Sequence, residues 1–210
     1  MPTQIAPAER FETIYTEAHG ERERVPWGVA RPSPALVVWL NQVAPSLVRC
    51  GARVAVVGCG LGDDAAELAR RGYEVTAFDI SPTAIAWAQR EYPEYADAFH
   101  VADLFAIPAR WRHRFDLVVE INTVQALEPS HRVDTLRAIA ELVSPRGHLL
   151  VICRQTEAPV SEESEPPWPL TREELETAAR GAGLTAEGAV TSFLDHGDPP
   201  VARLRGVFRH

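Results

Sequence analysis

The sequence predicts an α/β domain: a mostly parallel sheet of seven strands with helices on both faces, closed by a C-terminal antiparallel hairpin. From Arg53 onward, short apolar and β-branched runs alternate with amphipathic stretches, as parallel strands joined by crossover helices do. The first run ends in a glycine cluster directly before a helix. The last two runs are separated only by Asp195-His196-Gly197-Asp198-Pro199-Pro200, too short for a crossover and rich in turn formers, so those strands pair as a hairpin.

Taken in order, Arg53–Val57 is the first strand, stopped by glycine, and residues 64–71 form a helix whose apolar face is Ala65, Ala66, Leu68 and Ala69. Glu74–Asp79 is the second strand. Ser81-Pro82 then opens a helix, serine capping free amides and proline fitting the first helical position. Phe99–Val101 is a short third strand, and residues 115–120 a fourth, with Leu117, Val118 and Val119 as its apolar run. A helix over 132–143 ends at Ser144-Pro145-Arg146-Gly147, before a fifth strand at 148–153. Thr171 with Glu174 makes a capping box for a helix reaching about Gly181. Strands at 184–193 and 201–208 complete the sheet. The first 52 residues differ, being rich in proline and aromatic residues and poor in strand signals. They are expected to cover a site, giving a lid over 1–50 and a ligand-binding domain over 51–210.

A chain of 210 residues suits one full core, and 46% hydrophobic with 24% charged residues is ordinary for a globular protein. The net charge of −8, with acids and bases intermixed, speaks against a nucleic-acid partner, which would call for a basic stripe. No apolar run approaches the roughly 20 residues of a membrane span, and the first residues have no signal-peptide pattern. Cys50, Cys59 and Cys153 are odd in number and lack metal-ligand spacing, so reduced thiols in the cytoplasm and no metal site are expected.

The chemistry concentrates at Gly58-Cys59-Gly60-Leu61-Gly62-Asp63-Asp64. Glycines there let the backbone turn tightly and let a ligand approach the main chain. Asp79, 21 residues after Gly58 at the end of the second strand, is placed to accept both ribose hydroxyls of a nucleoside, with Ile80 and Ser81 beside it. That feature serves NAD and S-adenosylmethionine alike. The dinucleotide fingerprint puts its third glycine where Asp63 stands. Two carboxylates at this helix start repel a pyrophosphate and suit an ammonium and a sulfonium. The expected cofactor is therefore S-adenosylmethionine, held by Gly58, Cys59, Gly60, Gly62 and Asp64, with Cys59 as a small packing residue. Ala102, Asp103 and Leu104 fit the adenine, Asp103 alternatively being a turn cap. Glu120 and Ile121 end the fourth strand, where ligands sit in open α/β sheets; the alternative for Glu120 is a solvated loop carboxylate.

These residues resemble class I S-adenosylmethionine-dependent methyltransferases, whose fold is Rossmann-like. Residues 56–62 look like the family's first motif, Phe78-Asp79 its second, Ala102-Asp103-Leu104 its third and residues 115–120 its fourth, over about 50–210. The usual acid two residues before the first glycine is replaced by Val56. Residues 26–34 and Glu165-Pro166-Pro167-Trp168-Pro169-Leu170 are similar to segments of thiopurine, thiol and halide methyltransferases. That likeness implies Trp27, with Tyr15, against the cofactor, and Trp168, with Arg31, near the acceptor; the alternative for each tryptophan is core packing. Ile121 stands where those relatives often have arginine or tyrosine, so neither a thiopurine nor a halide follows as substrate. The resemblance implies methyl transfer to a small-molecule sulfur, oxygen or nitrogen by in-line displacement. A soft nucleophile needs no general base; His19 and His196 lie in loops that could reach the site, and no catalytic residue is named. Macromolecule methylation and a non-catalytic S-adenosylmethionine sensor or scaffold are the alternatives.

Overall fold

The computed structural model describes residues 7–195 and 199–210. Helices α1 (Pro7–Glu17), α2 (Pro34–Gln42) and α3 (Ala44–Leu47) precede β1 (Arg53–Val57), α4 (Asp63–Arg70), β2 (Glu74–Asp79), α5 (Pro82–Glu91) and β3 (Phe99–Val101). Then follow β4 (Phe115–Ile121), α6 (Arg132–Ala140), β5 (Val143–Arg154), α7 (Arg172–Gly181), β6 (Thr185–Ala186), β7 (Thr191–Leu194) and β8 (Ala202–Arg209). The sheet runs β3-β2-β1-β4-β5-β8-β6, with β7 also on β8. Strands β1 to β5 are parallel, and β8 is antiparallel to β5, β6 and β7.

Strand alternation sorts side chains onto two faces. Val54, Val56, Leu117, Val119, Leu150 and Ile152 pack with residues of α2, α4 and α5. Ala55, Val57, Val118, Leu149 and Val151 pack with residues of α6 and α7. Both faces are covered, so the central strands read as unbroken apolar runs. The order reverses between β1 and β4, and at that switch point the strands' carboxyl ends leave a crevice.

The expected architecture holds, with local differences. The strand expected at 184–193 is interrupted around Gly188, which has φ +84°, so β6 and β7 join β8 separately and the sheet has eight strands. The expected helix end at 143 falls at Ala140, because the Leu142 carbonyl accepts from the Arg114 and Phe115 amides and starts β5 early. Residues 144–147 then form an excursion between the Phe115↔Val143 and Leu117↔His148 pairs. The expected boundary at residue 50 separates no cores, since Leu36 and Trp39 are fully buried in the cluster holding β1 and β4 residues.

Gly62 ties the first turn to the core. It has φ +89°, and a Cβ on it would lie 2.8 Å from the Phe99 ring and 3.0 Å from Ala88. Gly62→Ala is expected to destabilise the fold by about 2–4 kcal/mol through backbone strain and overpacking, read as a fall in the urea midpoint; an unchanged midpoint would show that this corner tolerates a methyl group.

Candidate active site

The glycine turn leaves β1 at the switch point. Gly58 and Gly60, like Gly62, have positive φ (+58° and +52°), and side chains that border the crevice lie directly over them. A Cβ on Gly58 would sit 2.6 Å from Thr123 Oγ1, and one on Gly60 would sit 3.0 Å from Tyr15 Oη and 3.7 Å from Trp27 Nε1. Between them Cys59 donates its amide to the Phe78 carbonyl at 3.0 Å. Burial and the nearby Asp79 charge hold its thiol well above the ordinary range, which suits a packing residue and no nucleophile.

Asp79 ends β2 beside this turn and is 7% exposed. Its Oδ2 accepts the Gly60 amide at 2.9 Å and its Oδ1 the Ser81 amide at 3.0 Å. Burial pushes its carboxyl up from the usual range, opposed by those amides. Ile80 is half-buried. Ser81 is fully buried; its hydroxyl accepts the Ala84 amide and caps α5 as predicted. The same hydroxyl donates to Glu12 Oε2 at 2.5 Å, while Thr83 Oγ1 donates to Glu12 Oε1 at 2.5 Å. Burial would raise the Glu12 carboxyl, but these bonds outweigh it and hold the group below its ordinary value. Glu12 carries no motif, and its partners lie 69 and 71 residues away.

Helix α1 and the segment after it thus lie over the turn. Trp27 Nε1 donates to Tyr15 Oη at 2.8 Å, with the rings edge to face at 5.9 Å. Tyr15 is 3% exposed and Trp27 43% exposed, so Trp27 is a surface cover and the core-packing alternative fails for it. Burial and the Asp79 charge raise the Tyr15 hydroxyl well above its ordinary value. Tyr15, Ala18 and Val25 pack with Leu61, Ala84 and Trp87.

The acidic pair at the start of α4 serves a different purpose from the one expected. Arg22 bridges to Asp63 at 2.8 Å, and Tyr92 Oη donates to Asp63 at 2.8 Å. Asp64 Oδ1 accepts the Ser33 amide at 2.6 Å, and burial raises its carboxyl to about 6. The expectation that both carboxylates face a ligand is corrected: they fasten the N-terminal segment, which offers donors at close range. Arg31 is exposed, and its side chain makes no hydrogen bond or ion pair among the described residues, so nothing seats it beside Trp168.

Ala102 donates its amide to the Asp79 carbonyl at 3.0 Å. Asp103 accepts the Phe105 amide at 2.9 Å, realising the turn cap. Leu104 is buried in the core with Ile107 and Trp111.

Glu120, near the end of β4, pairs in register with Val57 and is fully buried. Its Oε1 accepts the Thr123 amide at 2.5 Å and the Val124 amide at 3.0 Å; its Oε2 has no partner among the described residues. Burial pushes its carboxyl up to about 7. The solvated-loop alternative is overturned. Ile121 is half-buried against the other core face. Thr123 Oγ1 donates to the Val57 carbonyl at 3.2 Å, locking this loop to the glycine turn.

On the far side of that loop, Trp168 is 3% exposed, with its amide on the Gln125 carbonyl and Nε1 on the Ser164 carbonyl. Buried Arg132 joins the Trp168 and Pro169 carbonyls to Glu174, and Gln125 Oε1 accepts the Arg154 amide. Arg10 of α1 donates to the Ala126 carbonyl at 2.5 Å, and its guanidinium lies 5.6 Å from the centre of the Trp168 ring. Trp168 is therefore packed, yet it borders the helix that covers the site. Arg10, Glu12, Thr123, Gln125 and Arg132 were not legible in sequence. A cavity of about 820 Å³ lined by Arg132, Gln155, Thr171 and Glu174 touches none of the glycine turn, Asp79, Tyr15 or Trp27; it is a separate opening at the starts of α6 and α7. His19 is exposed with φ +50°, and His196 lies outside the described residues. No cluster of metal-ligating groups occurs among the described residues, and no helix there is long and apolar enough to cross a membrane.

Residues 54–147 match the family described as "Methyltransferase domain". Thiocyanate methyltransferase 1 of Arabidopsis thaliana is 31% identical over 134 residues, 63% of this chain and 57% of that protein. Magnesium-protoporphyrin O-methyltransferase of Rhodobacter capsulatus is 40% identical over 90 residues, 41% of this chain and 38% of that protein. The chain spans about half the length of the curated relatives it matches. Among solved structures, magnesium protoporphyrin IX methyltransferase from Synechocystis PCC 6803, with bound S-adenosylmethionine, superposes with a TM-score of 0.73 at 15% identity, covering 100% of both chains. The fold is the Rossmann-like one of these methyltransferases.

Glu120 leaves a mark on stability. Its folded value of about 7 lies above the ordinary 4.5, so the folded state holds a proton that the unfolded chain releases. That contribution is present below pH ~4.5 and lost as pH rises through about 7. Glu120→Gln should therefore gain on wild type by about 3 kcal/mol between pH 5 and 8, measured by urea unfolding at both; a constant difference would show an ordinary carboxyl.

Proposed function

We propose, for a chain whose residues 54–147 match the methyltransferase-domain family and whose described residues share the fold of a methyltransferase of known structure, that it is a methyltransferase. It moves a methyl group from S-adenosylmethionine to a small-molecule acceptor carrying a sulfur, oxygen or nitrogen nucleophile. The single observation that carries this reading is the hydrogen bond from the Gly60 amide to buried Asp79 beneath the Tyr15–Trp27 pair. It joins a close-approach turn, a ribose-binding carboxylate and an aromatic cover at one point.

The residues present fit the cofactor. A cradle that a Cβ would fill lies at Gly58 and Gly60, and an unpartnered buried carboxylate oxygen lies one strand away. Asp79 would accept the ribose hydroxyls, while Ala102, Asp103 and Leu104 border the base. Bound there, the cofactor supplies a methyl group on a sulfonium, open to in-line displacement. The chain's own contribution is alignment and exclusion of water. Residues up to Ser33 act as the lid, with α1 held at three places: Glu12 on Ser81 and Thr83, Tyr15 over Gly60, and Arg10 on Ala126. Trp168 and the Gln125 loop form the acceptor wall. No side chain is assigned as a general base, which suits a soft nucleophile such as a thiol. The unpaired thiols of Cys50, Cys59 and Cys153 fit a reducing compartment, the cytoplasm.

Incubation with S-adenosylmethionine and a panel of thiols, phenols and amines should release S-adenosylhomocysteine with at least one of them; a chain that binds the cofactor and turns over none would be a sensor. Asp79→Ala should weaken cofactor binding by about 2–3 kcal/mol, since hydrogen bonds to a charged acceptor are lost. Equal affinity in a folded variant would reduce Asp79 to a cap on the strand end.

A further inference from the structure

Helix α1 crosses the mouth of the crevice. Glu12 grips the start of α5 on the β2 side, Tyr15 lies over Gly60 just after β1, and Arg10 reaches the Ala126 carbonyl in the loop after β4. That loop itself starts at the glycine turn, since Thr123 stands over Gly58 and bonds the Val57 carbonyl. The helix and the loop therefore both lead from the glycines to one place. There the Trp168 amide is on the Gln125 carbonyl at 2.7 Å, and the Arg10 guanidinium lies 5.6 Å from the centre of the Trp168 ring.

This place has donors to spare. Arg10 is half-buried, with its guanidinium also 4.8 Å from the centre of the Phe11 ring. It donates once, to Ala126, and makes no ion pair among the described residues. Burial lowers the guanidinium from its ordinary value, opposed by the Glu128 charge. Gln125 is 3% exposed, and the Arg154 amide on its Oε1 fixes which end of the side chain is oxygen. Its Nε2 has no hydrogen-bond partner among the described residues and is not one of their fully enclosed polar atoms, so it opens on accessible space. Two flat donor groups without an acceptor, one of them beside aromatic rings, suit a flat anion, and a carboxylate can accept from both at once. Resting on the proposed methyl transfer, we infer that the acceptor is a planar aromatic molecule bearing a carboxylate, which Arg10 and Gln125 Nε2 receive beside Phe11 and Trp168. Its nucleophilic atom then lies at the opposite end, toward the glycine turn. Arg10 and Gln125 select the acceptor and take no part in bond making.

The test is calorimetry on the full chain saturated with S-adenosylhomocysteine. The probes are para-mercaptobenzoate, para-hydroxybenzoate and para-aminobenzoate, each beside its neutral benzamide. Wild type should bind at least one acid about tenfold or more tightly than its amide, as hydrogen bonds between charged groups warrant. Gln125→Glu keeps the acceptor for the Arg154 amide and replaces the donor by an anionic oxygen; it should erase the preference and leave the amide's affinity within about twofold. Arg10→Gln should erase it as well, and Arg10→Lys, which keeps the charge without the fork, should retain part. Acids that bind no more tightly than amides in wild type, or do not bind at all, overturn the inference. So does a preference that survives both Gln125→Glu and Arg10→Gln, which places the recognising cation elsewhere. Variants that weaken S-adenosylhomocysteine as much as the acids overturn it too, since they mark a lid contact alone. A wild type that fails to bind S-adenosylhomocysteine defeats the cofactor reading and this inference with it, and that failure shows before any benzoate is added.

Discussion

The carboxylate of Asp79 joins the two loops on which the site depends. Its oxygens accept one amide from the turn after β1 and one from the turn after β2, so the glycine turn and the start of α5 move as one body. Those amides offset part of the cost of burying that charge. Everything nearby is arranged on this bond: Gly60 is left bare for Tyr15 and Trp27, the Ser81 hydroxyl donates a hydrogen bond to Glu12, and the Ala102 amide donates to the Asp79 carbonyl.

The N-terminal segment is attached to this body by two kinds of contact. Its apolar side is a small cluster of Tyr15, Ala18 and Val25 with Leu61, Ala84 and Trp87. Its polar side is a set of partly buried bonds: Arg22 to Asp63, Ser33 to Asp64, Glu12 to the α5 amides and hydroxyls, and Arg10 to Ala126. Polar anchors of this kind contribute modestly one by one and add specificity of placement. Helix α2 with Trp39 belongs instead to the main core, so the proposed lid is the part up to Ser33 alone.

Much of the fold was legible because it follows from local demands. Short β-branched runs, the Ser81-Pro82 start and the Thr171–Glu174 capping box each carry their own signal, and all appear where expected. The misjudged ends have tertiary causes: the early start of β5 comes from hydrogen bonds to β4's leading residues, and the split of β6 from β7 follows Gly188. In the site, the glycines and Asp79 were legible since backbone geometry and spacing announce them. Asp63 was misread because its partner Arg22 lies 41 residues earlier, and Arg10 escaped because Ala126 lies 116 residues later. No local pattern reports such distant pairings.

One titration tests the central claim most directly: calorimetry of the full chain against S-adenosylmethionine and, in parallel, NAD. A glycine turn whose third-glycine position is held by an aspartate paired with Arg22, beside buried Asp79, predicts micromolar binding of S-adenosylmethionine, about −8 kcal/mol, and no heat with NAD. Binding of NAD with none of S-adenosylmethionine would contradict the account.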